Sequence, residues 1–230
     1  MNISKGDLDL KKCLQLGLLL TMLIIGGCGM NNTEDKAEKS GAEASNLPRT
    51  VAFQDEFTRG FMDSTKEVED GYYLFKSKTD GYTMLFPENA ELSTKGYEKN
   101  GTEYEALYFG EIRGNGSLSY LWDLTYEDVS STSDTELNLN LLSDSVGYQK
   151  KDYRKFEDDN NIYYYAKEVF KVEGRDVYTY FSYIKNKGSN KAIRYYMETF
   201  CKDSSGKCTL DPASLEEEAK KMMQSIRFIN

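Results

Sequence analysis

Residues 162–200 read IYYYAKEVFKVEGRDVYTYFSYIKNKGSNKAIRYYMETF, and this stretch decides the fold of the 230-residue chain. Three runs rich in Tyr, Phe, Ile and Val, which favour β-strands, occupy 162–172, 177–185 and 191–200. The short segments between them contain Gly, Asn, Asp and Ser, which favour turns. Because short turns connect antiparallel neighbours, the stretch predicts three consecutive strands of one antiparallel sheet.

Further strands are predicted ahead of this stretch, at residues 71–76, 82–86, 104–112, 118–126 and 152–157. Asp80 and Gly81 separate the first two, and an Asp-Gly pair between apolar runs is a strong sign of a hairpin. Pro87 ends this hairpin because proline has no N–H to donate to a strand ladder.

Residues 134–146 have helical periodicity, with Ser133 or Asp134 available as the N-terminal cap and Gly147 as the end. Its leucines at positions i, i+4 and i+5 are Leu137, Leu141 and Leu142. Residues 51–68 carry Phe53, Phe57 and Phe61 at helical spacing, which fits either a short amphipathic helix or a loosely ordered lead-in.

The end of the chain predicts a second long helix, with Asp211 as its cap and Pro212 as its first residue. The acidic residues 216–218 come early in this helix and suit its dipole. Its apolar stripe consists of Leu215, Ala219, Met222, Met223 and Ile226. We expect residues 227–230 to form a closing edge strand.

These elements predict an α+β domain, an antiparallel sheet with helices packed on it. The segment Asp80-Gly81-Tyr82-Thr83-Met84-Leu85-Phe86-Pro87 and the terminal Ser225-Ile226-Arg227-Phe228 resemble the PsbP-like fold. That resemblance implies an α/β/α sandwich and a role in scaffolding or assembly, and it carries over no catalytic residue.

The N-terminus has the order of a secretory signal, with three lysines, an apolar run at 14–25 and then Ile25-Gly26-Gly27-Cys28. The apolar run is shorter than the roughly 20 residues that a membrane-spanning helix needs. Ile25, Gly26, Gly27 and Cys28 resemble the lipobox of bacterial lipoproteins. The resemblance implies cleavage between Gly27 and Cys28 and a diacylglyceryl thioether on Cys28. An uncleaved short anchor, or an ordinary signal peptide with an incidental cysteine, remains an alternative.

The predicted organisation is therefore a signal peptide at 1–27, a lipidated cysteine and flexible tether at 28–50, and a single extracytoplasmic domain at 51–230. The tether contains few large apolar side chains, so it cannot bury enough surface to offset its ordering entropy. We expect lipid on Cys28 to hold the protein on the outer face of the cell membrane.

Composition excludes several classes of function. The net charge is −9, which argues against nucleic acid and against electrostatic docking on anionic lipid. The chain contains no histidine, which excludes catalytic triads with a His base and imidazole zinc sites. We expect no catalytic residue, no metal and no cofactor.

Cys201 and Cys208 flank a turn-rich loop before the last helix. An exported protein meets conditions in which disulfides persist, so the pair predicts a structural disulfide. Free thiols or a redox or metal site remain alternatives, although the spacing is not that of a Cys-x-x-Cys motif.

Other candidate sites are acidic and aromatic. The acidic segments 67–70 and 157–159 could hold calcium, but neither has the alternating acid pattern of a calcium loop, and solvated turns explain them. One sheet face is expected to be polar, with Lys167, Arg194 and Glu198 on it. Eight tyrosines could form either an exposed binding strip or a core with a rim, namely Tyr163, Tyr164, Tyr165, Tyr178, Tyr180, Tyr183, Tyr195 and Tyr196.

The leading hypothesis for function is a non-catalytic lipoprotein that binds or helps to assemble an envelope protein partner. A receptor domain for a small ligand or a cell-wall glycan is the alternative. An enzyme that uses carboxylates alone is a third possibility, although no acid and base are placed together by the sequence.

Overall fold

The structure is a computed structural model that describes residues 47–202, 208 and 210–229. Its strands are β1 (Tyr72–Lys76), β2 (Tyr82–Pro87), β3 (Glu91–Leu92), β4 (Glu98–Asn100), β5 (Tyr104–Arg113), β6 (Leu118–Asp128), β7 (Arg154–Glu157), β8 (Asn161–Val172), β9 (Arg175–Asn186), β10 (Lys191–Cys201) and β11 (Arg227–Phe228). Its helices are α1 (Val51–Gln54), α2 (Glu56–Arg59), α3 (Thr135–Val146) and α4 (Pro212–Gln224). The predicted α+β class is confirmed.

The strands form two antiparallel sheets. The larger sheet has the order β3-β5-β6-β10-β9-β8-β7, with β4 also paired to β5. The smaller sheet has the order β1-β2-β11, in which Arg227 pairs with Thr83. The predicted strands are confirmed within a few residues at each end, and the closing strand joins the smaller sheet. The short strands β3 and β4 were not predicted because they are too brief and polar to show alternation.

Each face of the larger sheet is covered by a different helix, and we name the faces after these helices. The α4 face carries Trp122, Ile193 and Tyr195, which share a core with apolar residues of α4 such as Met222. The α3 face carries Phe181, Tyr183 and Ala192, which pack with Leu142 of α3. Successive residues of a strand point to opposite faces, so each strand contributes to both cores.

Helix α4 follows the sequence prediction. Both carboxylate oxygens of Asp211 accept backbone N–H groups, from Ala213 at 3.2 Å and from Ser214 at 3.3 Å. These bonds satisfy donors that the first turn of a helix leaves free. The apolar stripe is buried as predicted, with Leu215 3% exposed and Ala219, Met222, Met223 and Ile226 at most 1%.

Helix α3 begins and ends as predicted, but a different side of it faces the sheet. Asp134 Oδ1 accepts the N–H of Leu137 at 3.0 Å, and Gly147 ends the helix in the left-handed region at φ 71°. Leu137 and Leu141 are exposed, whereas Asn138 is buried among the inward-facing residues. The reason lies in the sheet, because Asn138 Oδ1 accepts a hydrogen bond from Arg194 Nη1 at 2.9 Å.

The segment before β1 forms two one-turn helices, which differ both from the single amphipathic helix and from the loosely ordered lead-in that the phenylalanine spacing fits. Asp55 breaks the helix, because it has extended backbone and its Oδ1 accepts the N–H of Thr58 as a new N-terminal cap. Phe53 and Phe61 are nevertheless buried. Leu47, within the predicted tether range, packs against the same core.

No helix in the described part of the chain is both long enough and apolar enough to cross a membrane.

Candidate binding face

The polar face expected from Lys167, Arg194 and Glu198 does not exist as one surface. Lys167 Nζ forms an ion pair with Glu216 of α4, which places Lys167 on the α4 face. Arg194 contacts α3, and Glu198 lies four residues further along the same strand, so both belong to the α3 face. Alternation shows which residues of one strand share a face. Which face of a neighbouring strand they match depends on the register between the strands, and the sequence does not show that register.

The tyrosines form a core with a rim, and the interpretation as an exposed strip is wrong. The buried members are Tyr163, Tyr165, Tyr180, Tyr183 and Tyr195, and the half-buried ones are Tyr164, Tyr178 and Tyr196. A tyrosine buries its ring while its hydroxyl finds a polar partner. Tyr183, for example, donates to the carbonyl oxygen of Thr132 at 2.6 Å.

The α3 face is open beyond α3, where β5, β6 and β10 lie side by side. Tyr108 of β5 pairs in register with Asp123 of β6, which pairs in turn with Tyr196 of β10. Directly opposed residues of neighbouring strands have their Cβ atoms about 5 Å apart. One carboxylate is therefore flanked by two tyrosines in a row across three strands.

A cavity of about 230 Å³ separates this row from α3, and Asp123, Tyr196 and Arg194 line it together with Leu141. Desolvation raises the pKa of the Asp123 carboxyl, and the positive charge of Arg194 only partly offsets this. Arg194 is engaged elsewhere, since its Nη1 lies 2.6 Å from Glu127 Oε2. The cavity therefore presents a carboxylate that is poorly compensated by the protein itself.

Exposed apolar side chains lie on α3 and on the same side of β5 as Tyr108. Ile112 of β5 is 53% exposed, and Leu141 and Leu137 of α3 are 48% and 44% exposed. Tyr108 is 38% exposed. Single exposed apolar residues are ordinary, but several on one uncovered face are typical of a site that contacts another molecule.

A second group of charged residues lies between β5, β1 and α4, and it is not among the sites predicted from the sequence. Arg113 forms ion pairs with Glu111 and with Glu218, the latter at 3.0 Å. Tyr72 donates its hydroxyl to Glu218 Oε1 at 2.6 Å, and the Arg113 guanidinium lies 4.2 Å from the ring centre of Tyr120. Burial raises the pKa of Glu111, although Arg113 counteracts this. The contacts fasten α4 to both sheets, which is a structural role.

The sequence did contain a signal for part of this group. Glu111 follows Leu107 and Phe109 at the alternating positions of β5 that point into the core, and it is only 5% exposed. A carboxylate at an inward position must be paired to be tolerated. Its partner Arg113 is two residues away, but the second carboxylate that Arg113 binds, Glu218, is remote in sequence, and the dipole of α4 alone accounts for its position along the chain.

Cys201 and Cys208, the candidate disulfide pair, are brought together by the structure. They form a disulfide with Cα atoms 5.8 Å apart, at the end of β10. This geometry lies in the usual range for a disulfide. Oxidation of the pair in the cell stays a prediction.

The two acidic segments make turns and surface contacts. Glu69 forms an ion pair with Lys221 at 2.8 Å. Asp158 Oδ1 accepts the backbone N–H groups of Asn160 at 2.9 Å and Asn161 at 2.7 Å. Among the described residues, no three cysteine or carboxylate side chains are grouped as a metal site would require.

The fold and the open face define the class of protein, a small α+β domain with an uncovered, apolar and acidic sheet surface. The chain belongs to the family described as "Putative lipoprotein YvcA", whose profile matches residues 48–227. It is 29% identical over 236 residues to "Putative lipoprotein YvcA" of Bacillus subtilis (strain 168), covering 96% of this chain and 98% of that relative.

A solved structure from Bacteroides thetaiotaomicron VPI-5482 is also similar, with 15% identity and a TM-score of 0.40 over 68% of this chain. The match covers 48% of that protein, so this chain spans about half its length.

Family membership supports the expectation of a lipoprotein held at the membrane and facing outward. The lipobox residues, Gly27 and Cys28 among them, lie outside the described residues, and lipidation of Cys28 stays a prediction. The resemblance to the PsbP-like fold also stays a prediction.

Proposed function

We propose that the domain is a non-catalytic binding module, held at the membrane by lipid on Cys28, which docks an envelope protein on the open part of its α3 face. The observation that carries this proposal is the tyrosine-flanked Asp123, which shares a cavity with the exposed Leu141 on the open side of the sheet, the side on which Ile112 of β5 is also exposed. Aromatic and aliphatic anchors surrounded by polar groups are the usual composition of a protein interface.

A protein partner suits this face better than a cell-wall glycan. The most exposed anchors are one isoleucine and two leucines, which offer a sugar few polar contacts, and the ring of Tyr108 is less exposed than any of them. The acidic side chains Asp123 and Glu198 add electrostatic selectivity for a partner whose surface is basic. No catalytic role is proposed for the carboxylates, because Glu111 and Glu218 are held by Arg113 in structural ion pairs.

The test is site-specific crosslinking of the full lipidated chain in native membranes. A photoreactive residue at position 137, one helical turn before Leu141 on α3, should give one discrete adduct with a protein. The matched control is the same residue at Val169, which is 46% exposed but lies on β8 outside the open face. An adduct of the same size from both positions, or no adduct from position 137, would refute the proposal.

Disruption should agree with crosslinking. The double variant Ile112→Ser and Leu141→Ser should lose the adduct formed from position 137, whereas Val169→Ser should keep it. Both changes are made at exposed positions, so the folded state should be retained, as thermal unfolding can verify. If no protein is captured and cell-wall fragments raise the melting temperature, the glycan-receptor alternative replaces this proposal.

A further inference from the structure

A separate cleft of about 660 Å³ opens beside α2, and it has aromatic walls. Its rings are those of Phe57, Phe61 and Tyr97. Phe57 lies 5.2 Å from Phe61 and 5.4 Å from Tyr97 between ring centres, and Phe61 lies 5.3 Å from Tyr97. The volume is within the range of roughly 300–1,000 Å³ that is usual for small-ligand sites.

A buried carboxylate stands directly behind this wall. Glu105 is fully buried, and its Oε1 accepts the backbone N–H of Lys78 at 2.9 Å and the hydroxyl of Tyr97 at 3.2 Å. The hydroxyl of the buried Tyr82 also interacts with this carboxylate, and no ion pair to Glu105 is present among the described residues. A carboxylate that is buried without a cation is costly, so this end of the cleft has an uncompensated negative potential.

The rim of the cleft adds further negative charge. Asp55 and Glu56 line it, and Glu56 is exposed and makes no ion pair within the described part of the chain. Lys78 is the cation among the lining residues. Its ammonium is held by the carbonyl oxygen of Gly60 and lies 4.9 Å from the ring centre of Phe61.

Lys78 shows which kind of group these rings accept. An ammonium within about 6 Å of a ring centre is attracted by the negative face of the ring. Lys78 occupies such a position on Phe61, but its single positive charge shares the cleft lining with Asp55 and Glu56, and Glu105 is bound to its backbone N–H behind the lining. The cleft therefore retains a net attraction for a second cation against Phe57 and Tyr97.

We propose that this cleft binds a small organic cation, an alkylated ammonium group, through the faces of Phe57 and Tyr97 and the negative potential of Glu56 and Glu105. The site is independent of the proposed docking face. It gives the domain a second binding activity whose ligand has a positive charge and an apolar surface.

The test uses the full chain in mild detergent and titrates tetramethylammonium, followed by NMR shifts of the aromatic protons. Choline is titrated as a second cation. Its neutral control is 3,3-dimethyl-1-butanol, which has the same shape but carries carbon in place of the charged nitrogen. We expect saturable binding of tetramethylammonium and choline and at least about fivefold weaker binding of the neutral alcohol.

Three variants then separate charge from shape. Glu56→Gln should weaken binding of tetramethylammonium severalfold, and Tyr97→Leu should weaken it by about fivefold or more. Lys78→Met should strengthen it, because a competing positive charge is removed. The control Asp159→Asn, at an exposed position away from the cleft, should leave the affinity unchanged.

Three outcomes would contradict the proposed cation site. Absence of saturable binding, equal binding of the neutral alcohol, or weaker binding by Lys78→Met would each overturn the inference, and the last would indicate an anionic ligand. Because Glu56 and Lys78 are exposed, their variants remain informative even if Tyr97→Leu unfolds the domain. A failure here leaves the crosslinking result on the α3 face unaffected.

Discussion

Replacing Arg113 by methionine should destabilise the domain, because Arg113 is the shared partner of two carboxylates. Methionine keeps most of the aliphatic packing but removes the guanidinium. Glu111 is then left buried without a cation, while Glu218 retains the hydroxyl of Tyr72 at 2.6 Å. The contact of the guanidinium with the ring of Tyr120 is also lost.

The size of the loss follows from burial. Removing one partner of a fully buried ion pair costs about 3–5 kcal/mol in the free energy of unfolding. The Arg113 side chain keeps 34% of its exposure, so water screens part of this interaction. We therefore expect a loss of about 2 kcal/mol at about pH 7, or roughly 4–8 °C in melting temperature for a domain of this size.

The loss should depend on pH in a definite direction. The pKa of Glu111 is raised above its ordinary value of 4.5 by burial, and Arg113 is the group that counteracts the rise. A raised folded-state pKa gives stability that is present below pH 4.5 and lost as pH rises through the folded pKa. The destabilisation by Arg113→Met should thus be smallest near pH 4 and largest at neutral pH.

Urea unfolding at both pH values measures these effects, and a double-mutant cycle isolates them. Glu111→Gln alone should cost little at neutral pH, and in the Arg113→Met background it should restore at least half of the loss. The reasoning fails if Arg113→Met changes stability by less than about 0.5 kcal/mol or if Glu111→Gln restores nothing.

Three further predictions concern the two cysteine sites and a helix cap. Cys28→Ala should abolish fatty-acid labelling and release the mature protein from the membrane fraction, and unchanged labelling would refute the lipobox interpretation. Replacing Cys201 and Cys208 by serine should lower the free energy of unfolding by roughly 2–3 kcal/mol in oxidising buffer and leave the reduced protein's stability unchanged; thiols that react with a probe in the native exported protein would contradict this. Asp211→Ala should lower the melting temperature at neutral pH, because hydrogen bonds from the Ser214 side chain and from backbone N–H groups hold the pKa of Asp211 below its ordinary value of 3.8. The difference should vanish in acid, since the contribution is complete above pH 3.8 and is lost as pH falls through the lowered pKa. A difference that persists in strong acid would show that the cap acts without its charge.

The local elements of the fold could be predicted because their causes are local. Alternation over 162–200 places three strands of the larger sheet, and Asp211 and Pro212 place the start of α4. Turn chemistry acts in the same way at Asp80, whose φ of 56° lies in the left-handed region that Asp tolerates. Each of these features depends on residues that are close together in the sequence.

The candidate sites were predictable only in part. Asp123 and Tyr108 lie on different strands, and their pairing depends on register, which a one-residue slip would reverse. The aromatic cleft likewise joins Phe61 of the N-terminal segment with Tyr97 beyond the hairpin. The periodicity of a single segment cannot predict contacts between residues of different segments.

The sequence by itself determined the longer strands, the two long helices with their caps, and the polar and turn-rich boundaries between them. The tertiary structure decided that β11 pairs with β2 in a separate sheet, that Asn138 rather than Leu137 faces the larger sheet, and that Glu105 and Glu111 are buried. The reason is physical. Backbone propensity and capping depend on neighbours along the chain, whereas burial and the pairing of charges depend on which distant surfaces pack together.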